Sequence, residues 1–192
     1  MFAGKTVRLV FRMIADCAKL RIAMPTTLQK PFPDQYLLAY SADHVFYEVD
    51  HFFWLADVIS RPTTIFGAQS PDAAVRTKNI FIEGFGLHLR NIIDFLYPRG
   101  LRATDTDIVA ADFLPNGKWD AIKPPISATL IAARIRADKE IAHLTTDRIC
   151  GTPPEKAWEC QTLANELKSI FRLMCDNALS SRLASNVGQR IS

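Results

Sequence analysis

The spacing of apolar and polar residues predicts four long α-helices, because apolar residues recur every three or four positions over long stretches. The stretches cover about residues 34–60, 71–97, 126–144 and 153–179. Asp34, Ser70 and the capping box Thr152-Pro153-Pro154-Glu155 mark three of the helix starts. No alternating run is long enough to predict a sheet, so we expect an all-α fold, a bundle of four main helices.

Glycines and a long crossover refine this prediction. Gly84 and Gly86 lie inside the second helix, where each costs about 1 kcal/mol, and close approach of a neighbouring helix would compensate. The long crossover before the third helix is expected to contain a short helix at residues 108–114, capped by Asp105 or Thr106.

The two ends of the chain differ in composition from the bundle, which we assign to residues 33–180. Residues 1–32 form a basic arm or leader, because the first 30 residues carry a net charge of +5 against +3 for the whole chain. Four interpretations stay open for it: a targeting peptide, an arm that contacts nucleic acid or a membrane surface, sequence upstream of the true start, or a small element packed on the body. Residues 181–192 are expected to form a polar tail.

The composition is typical of a folded protein in a reducing compartment. A hydrophobic content of 48% with 22% charged residues excludes a disordered chain. The four cysteines show no C-x-x-C spacing, which predicts free thiols. No run approaches the roughly 18 apolar residues that span a bilayer. We therefore expect a cytoplasmic protein with no membrane partner.

The third predicted helix carries the candidate chemistry. Arg136 and His143 are separated by six residues, which places them about two turns apart on one face of an α-helix. A permanently charged guanidinium and an imidazole that titrates near neutral pH are suited to cleaving a phosphodiester bond. Lys139 and Glu140 share that face. Asp138 lies beside the apolar stripe, where an unpaired carboxylate is costly, so we expect it to pair with the second helix.

The pattern Arg136-x6-His143 near the end of a helix resembles the signature of HEPN domains, specifically the abortive-infection and toxin-like branch. The stretch Arg90-Asn91-Ile92-Ile93-Asp94-Phe95 on the second helix is similar to one in uncharacterised bacterial relatives. Arg90 or Asn91 is also the expected partner of Asp138. The resemblance covers residues 34–180.

This resemblance implies an RNA-directed protein of the toxin or defence type, either a metal-independent endoribonuclease or a binder without catalysis. Arg136 would stabilise the pentavalent phosphate, and His143 would act as general acid or base. Asp138 would orient the arginine or hold the helix pair. The supporting and binding residues would be Arg90, Asn91, Lys139 and Glu140. No cofactor or metal is expected, and the expected partners are RNA, a second copy in a homodimer and an antitoxin-type protein.

Interpretations without catalysis stand beside this one. Arg136 with Glu140 would be an ordinary surface pair, and Asp138 with Arg90 a clamp between helices. The protein would then be a non-catalytic interaction module that forms a homodimer or binds a protein partner. A weaker alternative is a metal site on one stripe of the first helix, completed from the second helix, at His44, Glu48, His51 and His88.

Overall fold

The first predicted helix folds as one continuous helical run. In the computed structural model, which describes residues 29–61, 70–99, 106–142, 146 and 157–192, α1 (Asp34–Tyr40) passes through a π-helical turn (Ser41–Val45) into α2 (Phe46–Ser60). Asp34 is the first helical residue and not the cap that we predicted, because Pro33 occupies the capping position. The Asp34 carboxylate is still favoured there by the helix dipole.

The second predicted helix is α3 (Pro71–Leu96), and its start is as predicted. The Ser70 hydroxyl accepts a hydrogen bond from the backbone of the first turn at 3.3 Å, and Pro71 occupies that turn. Gly86 confirms the predicted close approach of a neighbouring helix. A Cβ at this position would overlap the Cδ1 atom of Ile141, so only glycine leaves that side chain its place.

The crossover contains the predicted short helix as a 3₁₀ turn (Ala110–Phe113), with a different cap. The Asp112 carboxylate accepts a hydrogen bond from the backbone N–H of Val109 at 2.9 Å. Thr106 does not cap the turn, and Asp105 lies outside the described residues.

A further short helix, α4 (Lys118–Ile122), follows the 3₁₀ turn and was not predicted. Its five residues are too few to show an apolar period. Trp119 anchors it, because the indole is buried and its Nε1 donates a hydrogen bond to the carbonyl of Leu96 at 2.9 Å. The contact also satisfies an unpaired carbonyl in the last turn of α3.

The third predicted helix consists of α5 (Ala128–Arg136) and a π-helical segment (Ala137–Ala142). Ser127 caps it by accepting a hydrogen bond from the backbone of Leu130 at 3.0 Å. A π-helix bonds residue i to i+5, so its side chains are spaced differently from those of an α-helix. The α-helical spacing on which the pairing of Arg136 with His143 rests therefore does not hold over residues 137–142.

The fourth predicted helix is α6 (Cys160–Asn177), which begins later than the predicted start at Pro153. Residues 157–159 are described and are not helical. The capping box at residues 152–155 lies outside the described residues. The apolar stripe of α6 is buried as predicted, at Leu163, Leu167, Ile170 and Met174.

The C-terminal residues are not the polar tail that we predicted. They form α7 (Ser185–Ile191), and its Val187 and Ile191 side chains are buried against the bundle. The turn before α7 is fastened to α1, because Ser181 and Arg182 donate hydrogen bonds to the Asp34 carboxylate at 2.7 Å each. These two bonds hold the pKa of Asp34 below its ordinary value of 3.8.

The buried Ser41 side chain ties the π-helical turn to the same C-terminal segment. Its hydroxyl accepts a hydrogen bond from the backbone N–H of Ala184 at 2.9 Å. It also lies within donating distance of the carbonyls of Leu38 and Arg182, at 2.9 and 3.2 Å. The buried Ser41 hydroxyl therefore has hydrogen-bond partners both as donor and as acceptor, and it joins two segments that are far apart in sequence.

One apolar core lies among the long helices, where α2 packs on α3 and α6. The rings of Phe52 and Phe85 stack 5.2 Å apart at its centre, and Phe171 is also fully buried. The described residues contain no β-strand, which confirms the all-α prediction. Residues Pro31–Ser192 form one compact unit. Within the described ranges, no helix is both long and apolar enough to cross a membrane.

Candidate functional site

Asp138 is the centre of an ion-pair network between α3 and the π-helical segment. Its two carboxylate oxygens each lie 2.7 Å from a guanidinium nitrogen, Oδ1 from Nε of Arg90 and Oδ2 from Nη2 of Arg99. The predicted partner Arg90 is therefore confirmed, whereas Arg99 was not foreseen. The Asp138 side chain is 16% exposed, so water screens the two pairs only in part.

A second carboxylate, that of Asp94, extends the network. Asp94 Oδ1 lies 2.5 Å from Nη2 of Arg134 and 3.5 Å from Nε of Arg99. Nε of Arg90 lies 3.9 Å from Asp94 Oδ2, a long pair at spacing i, i+4. Three guanidinium groups face two carboxylates, which leaves one net positive charge in the network.

Arg136 lies in a different environment from the network. Its Nε donates a hydrogen bond to Glu140 at 2.9 Å, and its Nη1 donates one to the backbone carbonyl of Ala157 at 2.9 Å. Its guanidinium carbon lies 4.2 Å from the centre of the Trp158 ring, a cation–π contact. The Trp158 ring in turn meets the buried Phe85 edge-on at 6.0 Å. The predicted pair between Arg136 and Glu140 is confirmed.

The remaining predicted site residues are not gathered around Arg136. Asp138 pairs with the network and not with Arg136, so in this structure it holds the helix pair. Lys139 is exposed on the π-helical segment. Asn91 faces α2, where it donates to Glu48. His143 lies outside the described residues.

A polar cluster that sequence reasoning only partly anticipated joins α2 to α3. Glu48 Oε2 lies 2.7 Å from Nδ1 of the buried His88, and both Glu48 oxygens accept from the Asn91 amide at 3.2–3.3 Å. The rings of His51 and Tyr47 approach His88 at 5.4 and 5.5 Å. A carboxylate on Nδ1 fixes the orientation of the imidazole.

The contacts of the histidines on the first helix do not support the metal alternative. His51 Nδ1 faces the carbonyl of Tyr47 at 2.9 Å, and the His44 ring packs on Tyr40 with centres 4.7 Å apart. Within the described ranges, no three histidine, cysteine or acidic side chains converge as metal ligands do. The stripe on the first helix therefore serves packing and hydrogen bonding.

A cavity of about 550 Å³ lies between these two polar groups. Its apolar wall includes Val45, Val49, Ile92 and Phe171, and its charged wall includes Glu48, Arg90, Asp94, Arg99 and Asp107. Tyr40, His44, Tyr47 and Asn91 complete the lining on the side of α1 and α2. Burial, with smaller effects of Tyr36 and Glu48, raises the pKa of Tyr40, so its hydroxyl remains a neutral donor. The size is typical of a small-molecule site.

The described cysteines are not placed for nucleophilic chemistry. Cys160 and Cys175 are free thiols, as predicted. Burial raises the pKa of Cys160 to about 12 and that of Cys175 to about 11, which suppresses the reactive thiolate. Cys17 and Cys150 lie outside the described residues.

Comparisons with protein-family models, with curated proteins and with solved structures found no match to this chain.

Some charged residues of the ion-pair network could be predicted from the sequence, and others could not. The spacing i, i+4 links Arg90 to Asp94 and Arg134 to Asp138, which is a signal for paired charges on two facing helices. Arg99 follows the end of α3 and has no helical register, so no pattern predicted its contact with Asp138.

Proposed function

We propose that this chain is an RNA-directed protein with a HEPN-like bundle, of the toxin or defence type, and that the segment from Arg136 to His143 carries its chemistry. The observation that supports this proposal is the guanidinium of Arg136 stacked 4.2 Å from the Trp158 ring centre, with exposed Lys139 on the same helical segment. Cations beside an aromatic face are typical of surfaces that bind single-stranded nucleic acid, because the phosphates and the bases are contacted together.

Catalysis on this segment requires Arg136 to exchange one partner. An ion pair at i, i+4 on a helix contributes only about 0.2–0.5 kcal/mol, so a phosphate can displace Glu140 at little cost. The hydrogen bond to Ala157 and the stacking on Trp158 would then keep the guanidinium oriented. His143 would supply the proton transfer, which makes the proposed cleavage independent of metal ions.

The test is cleavage of a mixed cellular RNA pool in EDTA by the wild type and by Arg136→Ala, His143→Ala and Arg61→Ala. Arg61 is the matched control, because it too pairs at i, i+4, with Asp57 at 2.7 Å. We expect the first two variants to lose cleavage and Arg61→Ala to keep it. Arg136→Ala should also melt at a lower temperature, because it loses the bond to Ala157 and the contact with Trp158, so its fold is checked by circular dichroism. A wild type that neither cleaves nor binds RNA would overturn the proposal.

A second function, that of an interaction module, is favoured by exposed apolar side chains on α3 and α5. Ile80 and Leu87 are 65% and 47% exposed, and Ile131 and Ile135 are 42% and 54% exposed. Each pair is spaced to share one face of its helix, and α3 packs beside α5. Exposed apolar side chains on neighbouring helices are typical of interfaces, so this proposal predicts a homodimer.

Sedimentation velocity of the wild type and of Leu87→Glu with Ile135→Glu tests this second function. The proposal expects a dimer that the paired substitution converts to a monomer. A wild type that is monomeric at every protein concentration would contradict it.

A further inference from the structure

The cavity between α2 and α3 is lined by arginine groups that are only partly used. Arg90 contacts Asp138 through Nε, and Arg99 contacts its two carboxylates through Nε and Nη2. Within the described part of the chain, no hydrogen bond involves the Nη atoms of Arg90 or Nη1 of Arg99. Both residues line the cavity, so three guanidinium nitrogens can donate hydrogen bonds to an anionic group placed in it.

The charges of the other lining residues decide against a ligand that is only anionic. The carboxylates of Glu48, Asp94 and Asp107 line the cavity beside the guanidinium groups of Arg90 and Arg99, so a ligand in it meets groups of both charges. A ligand with a single negative charge would be attracted by the arginines and repelled by the carboxylates. A ligand that also carries a positive charge would be attracted by both groups.

The Glu48 side of the cavity suits an ammonium group. Glu48 contacts His88 and Asn91, and an ionised carboxylate has about four acceptor sites, so capacity remains. Tyr40 and Tyr47 line the same side, and aromatic rings favour a nearby cation. Arg90 and Asn91 are neighbours on α3, so their side chains leave the helix about 100° apart and the two ends of the site are close.

We propose that this cavity binds a free α-amino acid with an apolar side chain, its carboxylate on Arg90 and Arg99 and its ammonium group at Glu48. A planar carboxylate matches the paired donors of a guanidinium. The apolar side chain packs on the wall that Val45, Ile92 and Phe171 form. The proposed RNA chemistry rests on Arg136 and His143, which are not among the residues that line this cavity, and the two are tested with different ligands, so either proposal can fail alone.

The experiment is a titration of the protein with L-phenylalanine, 3-phenylpropionate and phenethylamine, followed by NMR of the side-chain resonances. The three probes share a ring and differ only in which charges they carry. We expect L-phenylalanine to shift the Nε–H signals of Arg90 and Arg99 and the amide of Asn91 saturably. We expect the two singly charged probes to bind at least tenfold more weakly, about 1.4 kcal/mol.

Three variants locate the binding and control for folding. Arg90→Gln should weaken L-phenylalanine binding tenfold or more, while Arg61→Gln should leave it unchanged. Ile108→Trp adds bulk to the cavity wall at a residue outside the ion pairs, so it should weaken binding at least tenfold in a protein whose other backbone signals are unchanged. The proposal is overturned if L-phenylalanine causes no saturable shift, if 3-phenylpropionate binds as tightly, or if Ile108→Trp binds as tightly as the wild type.

Discussion

Replacement of Asp138 by alanine is the perturbation for which the structure gives the clearest magnitude. The substitution leaves Arg90 and Arg99 without the carboxylate that each contacts at 2.7 Å. Loss of one partner of a buried charge pair costs about 3–5 kcal/mol, and hydrogen bonds to charged groups contribute about 1.5–3 kcal/mol each. Because the two arginines are about one-third exposed and can be rehydrated, we expect a cost below that of a fully buried pair, about 2–3 kcal/mol.

Thermal unfolding followed by circular dichroism measures this loss. For a chain of this length, 1 kcal/mol shifts the melting temperature by about 2–4 °C, so the expected decrease is about 4–12 °C. Asp120→Ala is the control, because Asp120 pairs with Lys123 on the surface and its side chain is 71% exposed. We expect its cost to stay below about 1 kcal/mol. Equal melting temperatures for the two variants would refute the structural role of Asp138 and favour a role in the chemistry.

Three further predictions follow from other contacts. Ser41→Ala leaves the backbone N–H of Ala184 without its acceptor, which should cost about 1–3 kcal/mol by urea unfolding and speed proteolysis of α7; an unchanged midpoint would contradict it. Peptide-resolved alkylation at pH 8 should label Cys160 and Cys175 far more slowly in the native protein than in urea, since their pKa values of about 12 and 11 suppress the thiolate. The hydrogen bonds of Asp34 hold its pKa below 3.8, so the stability that they contribute is present above that pH and is lost as the pH falls through the lowered pKa. Asp34→Asn should therefore reduce the fall in melting temperature at acid pH.

Local signals in the sequence were sufficient for most helix positions. Ser70 was predicted as the cap of α3, and the hydrogen bond to its hydroxyl is present. The Ser127 cap of α5 was not predicted, although its hydroxyl is the same kind of signal. Gly86 indicated a close helix contact, because a glycine inside a helix is costly unless a neighbouring side chain needs its space. The α7 helix escaped prediction, because only Val187 and Ile191 are large and apolar in a polar stretch, although their i, i+4 spacing is the signal that could have revealed it.

The π-helical segments and the crossover contacts could not be predicted, because long-range packing determines them. The turn at residues 41–45 depends on a serine that bonds the C-terminal segment. The segment at residues 137–142 packs against α3, and no local pattern marks it. As a result, the face shared by Arg136 and His143 was derived from a spacing that the helix does not keep, whereas the pairing of Arg90 with Asp138 was derived from the cost of an unpaired carboxylate and is confirmed.

The proposed RNA function is tested most directly by binding, which does not depend on whether catalysis is retained. Fluorescence anisotropy of a labelled single-stranded RNA would be measured with His143→Ala, alone and combined with Arg136→Gln or with Arg61→Gln. The account predicts saturable binding that Arg136→Gln weakens at least tenfold, about 1.4 kcal/mol, and that Arg61→Gln leaves unchanged. The absence of binding, or an equal loss in both combinations, would contradict it.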